Sequence, residues 1–263
     1  MWQAWIRARA RAWYRASRFY VKHRARCVNI YHCTMNKAAS LWVRGLLADE
    51  RTFRYCGLEA RVPETKTGPF APGTILSPLY IDYPTFREIP KAMPYKAFFV
   101  MRDPRDVLVS WYFSIKLSHP LSPEVERVRN ELVKLSEPDG LRYALDYVHE
   151  RGLFARPRSW LDAPARDDRV MLVRFEDLTG PNQATVLEQL LRHCDIDMPR
   201  PVFDELLRAH AFEAVSGRAR GDEDLHSHYR KGVAGDWRNY FDADLAARFR
   251  DVVGDLLDVC KYT

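Results

Sequence analysis

The chain has 263 residues, and much can be excluded from what it lacks. No apolar run reaches the roughly 18 residues that would make a membrane-crossing helix. The N-terminus has no continuous apolar core, so it does not read as a secretory signal. Cysteine is sparse. Cys27, Cys33, Cys56, Cys194 and Cys260 are odd in number and scattered, with no Cys-x-x-Cys and no Cys/His cluster at metal-ligand spacing. That pattern argues against a disulfide framework or a zinc site and for reduced core thiols in a cytoplasmic protein. The Walker-type phosphate loop, GxxxxGK[ST], is absent. There is no internal repeat and no low-complexity segment.

Acidic residues are missing from one region only. Residues 1–26 carry seven Arg and one Lys with no Asp or Glu, a charge of +8. The whole chain is +6, so the other 237 residues sum to about −2, 33 basic against 35 acidic. The basic character belongs to the N-terminal segment, which argues against a general nucleic-acid-binding surface. In that segment Trp2, Trp5, Ile6, Trp13, Phe19 and Tyr20 share one face at helical spacing. Arg7, Arg11, Arg15 and Arg18 share the other, with Arg9 as the exception. The pattern predicts a basic amphipathic helix over 1–26, ahead of one domain over 27–263. Two readings stand: peripheral membrane contact through residues 1–22, or packing of the aromatic face on the domain.

The most informative stretch lies at residues 97–110. Ala97-Phe-Phe-Val-Met101 is an apolar run of buried parallel-strand type. It ends at Arg102. Asp103 is a good N-cap, Pro104 suits the first helical position, and Asp106 completes a capping-box-like pattern. A strand thus delivers an arginine to a helix mouth, where backbone N–H groups already favour an anion. Ser110 adds a hydroxyl two turns on.

Cys27–Cys33 is β-prone, Thr34–Ala39 a loop containing Lys37, and Ser40–Leu47 a helix, a second phosphate-loop-like layout. Phe53–Cys56 and Thr74–Leu76 read as short strands. A short helix is expected within Pro84–Pro94, and the helix after residue 101 should run through Lys116. Residues 124–160 are mostly helical in pattern. Arg169–Arg174 is a further buried strand, leading into Phe175-Glu-Asp-Leu178. Helices are expected near 183–194 and 201–209. Ser216–Gly235 is a long polar loop of the kind that usually carries function. Ala243–Leu257 closes the chain as one amphipathic helix with Phe249, Val252, Val253, Leu256 and Leu257 inward. Strands alternating with helices predict an α/β fold with a parallel sheet flanked by helices. The strand ends Cys33, Met101 and Arg174 should then meet at one crevice.

Three stretches together resemble the PAPS-dependent sulfotransferases of the cytosolic type. They are Lys37-Ala-Ala-Ser-Leu-Trp42, Arg102-Asp-Pro-Arg-Asp-Val-Leu-Val-Ser110 and Arg230-Lys-Gly-Val-Ala-Gly-Asp-Trp-Arg-Asn-Tyr-Phe241. The last two are highly specific in combination, and the likeness spans roughly residues 27–255. It implies the P-loop NTPase-like sulfotransferase fold, PAPS as co-substrate and no metal. It also implies roles. Lys37 would contact the 5′-phosphosulfate and its bridging oxygen. The N–H groups of Ala38, Ala39, Ser40 and Leu41, with the Ser40 hydroxyl, would hold the 5′-phosphate. Trp42 and Phe212 would lie against the adenine. Arg102 and Ser110 would take the 3′-phosphate, and Arg230, Lys231 and Gly232 would close over it. Phe175 stands where the family usually has Tyr and would approach the nucleotide without a hydroxyl. Two separate anion sites are what a 3′-phosphate and a 5′-phosphosulfate require.

The chain also departs from the family. Its loop replaces Pro-Lys-Ser-Gly-Thr-Thr-Trp with Asn36-Lys-Ala-Ala-Ser-Leu-Trp42. The catalytic histidine is missing, with Pro78 standing about there in Ile75-Leu-Ser-Pro-Leu-Tyr80. An acceptor hydroxyl still has to lose its proton. Glu59, about twenty residues after Lys37, is the first replacement, as in the glycosaminoglycan and tyrosyl-protein sulfotransferases. Asp82 and His32 follow. An acceptor needing no strong base is the fourth possibility. The resulting expectation is sulfuryl transfer from PAPS to the hydroxyl or amine of a small-molecule, lipid or glycan acceptor. A non-catalytic or membrane-attached nucleotide-binding protein is the alternative, with a P-loop-type kinase behind it.

Overall fold

The computed structural model describes residues 10, 11, 13, 14 and 17–262. Among the described residues, five strands form one parallel sheet: β1 (Asn29–Thr34), β2 (Glu59–Arg61), β3 (Thr74–Leu79), β4 (Tyr95–Met101) and β5 (Val170–Arg174), in the spatial order β2-β3-β1-β4-β5. The register sets Ile30 beside Ile75, His32 beside Phe98 and Met101 beside Arg174. β1 is buried along its whole length and β4 at all but one residue. Helices cover both faces of such a sheet, which is why its central strands are unbroken apolar runs instead of alternating ones. Between Tyr31 and Cys33 the pairing with β3 skips a residue. Pro78, which cannot donate to a ladder, falls in that irregular stretch.

The helices that shape the site follow the strands. They are α1 (Arg18–His23), α2 (Ser40–Ala48), α3 (Glu50–Cys56), α4 (Tyr83–Glu88) and α5 (Pro104–Phe113). After α5 a widened turn spans Ser114–Ser118, followed by α6 (Pro123–Leu132) and α7 (Glu137–Glu150). Asp103 caps α5 by accepting from the Arg105 N–H, as its type predicts. Val107, Leu108 and Val109 are fully buried beneath it. Trp160 stacks on Phe99 at 4.9 Å and donates its indole N–H to the Ile81 carbonyl at 3.1 Å, locking β4 to the segment after β3. Each such fully buried large side chain contributes about 2–3 kcal/mol from burial. All five cysteines are buried and free.

The structure corrects the sequence reading in several places. Phe53–Cys56 is the end of α3, not a strand. Asp49 accepts from the Arg51 N–H at its start and Gly57, at φ 74°, terminates it. These caps outweigh the β propensity of the aromatics. β2 is a three-residue edge strand too short to leave a pattern. The last helix is divided at Gly254 (φ 59°) into Ala243–Val253 and Leu256–Val259.

Of the N-terminal helix, Trp2, Trp5, Ile6, Arg7, Arg9 and Arg15 lie outside the described residues, as do the side chains of Arg18 and Tyr20. The residues that are described reverse the expected facing. Arg11 turns inward, donating to Glu50 at 2.9 Å and lying 4.6 Å over the Phe53 ring. Trp13 is 81% exposed. The carboxylates of Glu50 and Glu59 provide the attraction that turns Arg11 toward α3. Phe19 packs edge-on against Tyr55. No helix among the described residues is long and apolar enough to cross a membrane.

Candidate functional site

A cavity of about 380 Å³ opens beyond the carboxyl ends of β1 and β4. The strand order reverses there, and parallel sheets place ligands at that point. Lys37, Ala39, Ser40, Leu41 and Trp42 line one wall, Arg102 and Ser110 the floor, and Phe175, Phe212, Arg230, Lys231 and Gly232 the rest. Of the cofactor-binding residues expected from sequence, only Ala38 is absent from that lining; it is fully buried beneath the loop.

The Lys37 loop is shaped without glycine. Lys37 and Ala39 adopt φ of 64° and 58°, the left-handed region that L-residues occupy only under constraint. Alternation of this kind turns successive N–H groups to one side and makes a concavity suited to an anion. Arg102 supplies part of the constraint by donating to the Lys37 carbonyl at 3.0 Å. The Ser40 hydroxyl is 2.7 Å from the Tyr80 hydroxyl, and Arg156 donates to the Asn36 side chain at 2.8 Å. Burial, reinforced by the nearby Arg102 and Arg230, draws the Lys37 ammonium down to about 8. It therefore remains mostly protonated at neutral pH.

Arg102 joins the three motifs. Besides the Lys37 carbonyl, it donates to the Val233 carbonyl at 3.2 Å and lies 3.6 Å from Asp106. Its guanidinium rests 4.1 Å over the Phe175 ring, so the phenylalanine serves as a π surface where a tyrosine would offer a hydroxyl. Its Nε is buried and has no partner. The side chain nevertheless borders the cavity, so its positive charge faces that space. Asp106 does not complete a capping box. Its carboxylate instead accepts from the Gly235 and Trp237 N–H groups at 2.7 and 2.9 Å, so α5 holds the C-terminal loop directly. Asp236 in turn pairs with Arg230 at 2.6 Å and Lys231 at 2.7 Å, fixing both cations at the cavity wall. Glu176 accepts from the Asp103 N–H and braces the same corner.

The aromatic wall is equally specific. The Trp42 indole donates to the His210 carbonyl at 2.6 Å, tying α2 to the segment that carries Phe212. Gly232, at φ 70°, lies flat on the Phe212 ring, where any Cβ would sit 2.4 Å from a ring carbon. Only glycine suits that contact. Two anion cradles joined by an aromatic surface can hold a nucleotide phosphorylated at both ends.

The expected bases are placed elsewhere, and this is the main correction. Glu59 pairs in register with Thr74, the first residue of β3, at the amino end of a parallel sheet whose cavity is at the carboxyl end. It bonds to Arg61 at 3.0 Å and does not line the cavity. Sequence distance from Lys37 could not show that the intervening helices return the chain to the far end. Asp82 caps α4 by accepting from the Thr85 N–H at 2.8 Å. His32 is fully buried inside the sheet, stacked on Phe98 and bonded to Ser77 at 2.7 Å, and burial pushes its imidazole down to about 3. His119 and His228, not singled out by the sequence reading, also line the cavity, as does Tyr80. Both histidines lie in loops, where no periodic pattern marks a single side chain. No cluster of three or more metal-ligating side chains occurs among the described residues.

Comparison with known proteins follows the same geometry. A family model for the sulfotransferase domain matches residues 85–261. The chain belongs to the sulfotransferase domain family. The matched span contains the Arg102 and Arg230 motifs and leaves out the Lys37 loop. Sulfotransferase 1E1 of Rattus norvegicus is 24% identical over 168 residues, covering 59% of this chain and 52% of that protein. Sulfotransferase 1 family member D1 of Mus musculus is 21% identical with the same coverage. The match thus spans about half the length of these relatives. In structure, the chain resembles mouse sulfotransferase SULT7A1 in complex with PAP, with a TM-score of 0.63, 16% identity and coverage of 92% of this chain and 91% of that one. Retinol dehydratase in a complex with retinol and PAP gives a TM-score of 0.58 at 15% identity, covering 92% of this chain and 84% of that one. These likenesses carry the fold, a parallel sheet flanked by helices as the sequence predicts.

Proposed function

We propose that the protein transfers a sulfuryl group from PAPS to the hydroxyl or amine of a small acceptor, releasing adenosine 3′,5′-bisphosphate. The observation that carries this reading is Arg102, whose guanidinium bridges the Lys37 and Val233 carbonyls at the cavity that Lys37, Ser110, Arg230 and Lys231 also line. Lys37 and the N–H groups of Ala38–Leu41 suit the 5′ end of the donor. Arg102, Ser110, Arg230, Lys231 and the Gly232 backbone suit its 3′-phosphate, and Trp42, Phe175 and Phe212 suit its base. Sulfuryl transfer, like phosphoryl transfer, asks mainly for positioning and charge stabilisation. Lys37 is the cation able to neutralise charge on the leaving phosphate.

The retinol and androsterone named with retinol dehydratase favour an apolar alcohol as the acceptor class. Lipid and glycan acceptors are finer readings for the same assay, and membrane contact through residues 1–22 is one for co-sedimentation with anionic vesicles. The test is transfer of labelled sulfate from PAPS to a panel of phenols, sterols, retinoids and sugars. Labelled product that vanishes in Lys37→Ala supports the reading. Tight binding of the bisphosphate with no transfer to any acceptor would favour a nucleotide-binding protein without catalysis.

A further inference from the structure

The histidine missing before the Arg102 corner leaves the acceptor proton without a destination, and two other imidazoles reach the same cavity. His119 follows the widened turn Ser114–Ser118, and His228 belongs to the polar loop 217–235. Their rings meet edge-to-face with centroids 6.1 Å apart. The His119 backbone is pinned on both sides, its N–H donating to Ser114 at 2.7 Å and its carbonyl accepting from Arg129 at 2.7 Å. Neither ring is hydrogen-bonded to a described residue, so the ring nitrogens are available to a bound acceptor.

Resting on the sulfotransferase reading above, we propose that the His119–His228 pair accepts the acceptor proton in sulfuryl transfer. The acceptor oxygen forms its bond to sulfur with a lone pair. The bond from sulfur to the 5′-phosphate oxygen breaks and leaves its electron pair on that oxygen, to which Lys37 donates a hydrogen bond. The hydroxyl proton passes to a ring nitrogen of the pair. Nothing is oxidised or reduced.

The surroundings suit that role. His119 faces Lys37 from the loop after β1, His228 from the C-terminal loop and Arg129 from α6; His228 faces Lys37 and His119. Tyr80, Tyr229, Arg230 and Lys231 stand further round the cavity. Burial first, and then the neighbouring cations, lower both imidazoles, so each is neutral and able to accept a proton at neutral pH. An anionic donor beside Lys37 offsets that repulsion, so the pair holds a proton more readily once the donor is bound.

The test uses the full chain and the double variant His119→Gln/His228→Gln, with PAPS and two acceptors. One is 2-naphthol; the other is 4-nitrophenol, whose hydroxyl is far more acidic and is substantially ionised near neutral pH. The double variant should lose about 100-fold in kcat with 2-naphthol and less than about threefold with 4-nitrophenol. The fall in wild-type rate on acidification should disappear with it, while bisphosphate affinity near pH 8 is retained. A double variant within about threefold of wild type on 2-naphthol overturns the proposal and leaves the sulfotransferase reading standing. A second measurement needs no acceptor. Proton NMR should show the titration midpoints of both imidazoles rising when adenosine 3′,5′-bisphosphate binds wild type. Binding that leaves both midpoints unmoved overturns the pair. Absence of bisphosphate binding sinks the underlying reading instead.

Discussion

The two ends of the cavity are built differently. The anion-holding end is made from strand ends and helix starts, and its charged groups are buried and cross-braced. Arg102 is 8% exposed and Asp106 1%, and between them they bind the Lys37 loop, Val233, Gly235 and Trp237. The rim is made from two loops about a hundred residues apart in the chain, and the rings of its histidines carry no hydrogen bonds to described residues. Fixed charge at one end costs no reorganisation when a charged donor arrives, whereas an open rim can receive acceptors of different shape.

The largest effect should come from the braced end. Replacing Lys37 with Ala should lower kcat about 100- to 1000-fold, measured as labelled sulfate transfer, because it removes the donor aimed at developing charge. A loss below about tenfold would erase the contrast. Arg102→Ala follows. It should weaken bisphosphate binding and lower folding stability by about 3 kcal/mol in denaturant unfolding, since Asp106 loses its buried cation. Unchanged stability would show that the two backbone N–H groups alone satisfy Asp106.

Gly232→Ala should reduce bisphosphate affinity about tenfold in calorimetry and lower folding stability by about 1 kcal/mol, because the methyl group meets the Phe212 ring and φ is positive. The pH dependence is a milder probe. Lys37 loses its proton as pH rises through about 8, so affinity for the bisphosphate should fall as pH rises above that value. The smallest effect belongs to Glu59→Gln, which should leave transfer unchanged and stability within about 0.5 kcal/mol. A Glu59 variant without activity would return the base to the far end of the sheet and break the account of the rim.

Legibility from sequence divides along the same line. The braced end was readable because its chemistry is local. A strand ending in Arg102, an Asp-Pro helix start and a Lys37 loop before α2 each occupy a few consecutive residues. The long polar loop was readable as a loop because it lacks a hydrophobic period. What failed needed three-dimensional information. Sequence distance from Lys37 points to Glu59, but residue spacing does not say at which end of a sheet a side chain emerges. Phe53–Cys56 reads as a strand in isolation, although Asp49 and Gly57 bracket it as helix caps. His119 and His228 become neighbours only when the turn after α5 meets the C-terminal loop, and no local pattern announces that meeting.

The central claim is that the cavity holds a nucleotide by two anions at once. Its most direct test is calorimetric titration of the wild-type chain with adenosine 3′,5′-bisphosphate and, separately, with 5′-AMP, repeated for Arg102→Ala. The account predicts that the bisphosphate binds far more tightly than 5′-AMP to wild type and that Arg102→Ala removes most of that difference. Equal affinities for the two nucleotides in wild type would contradict it.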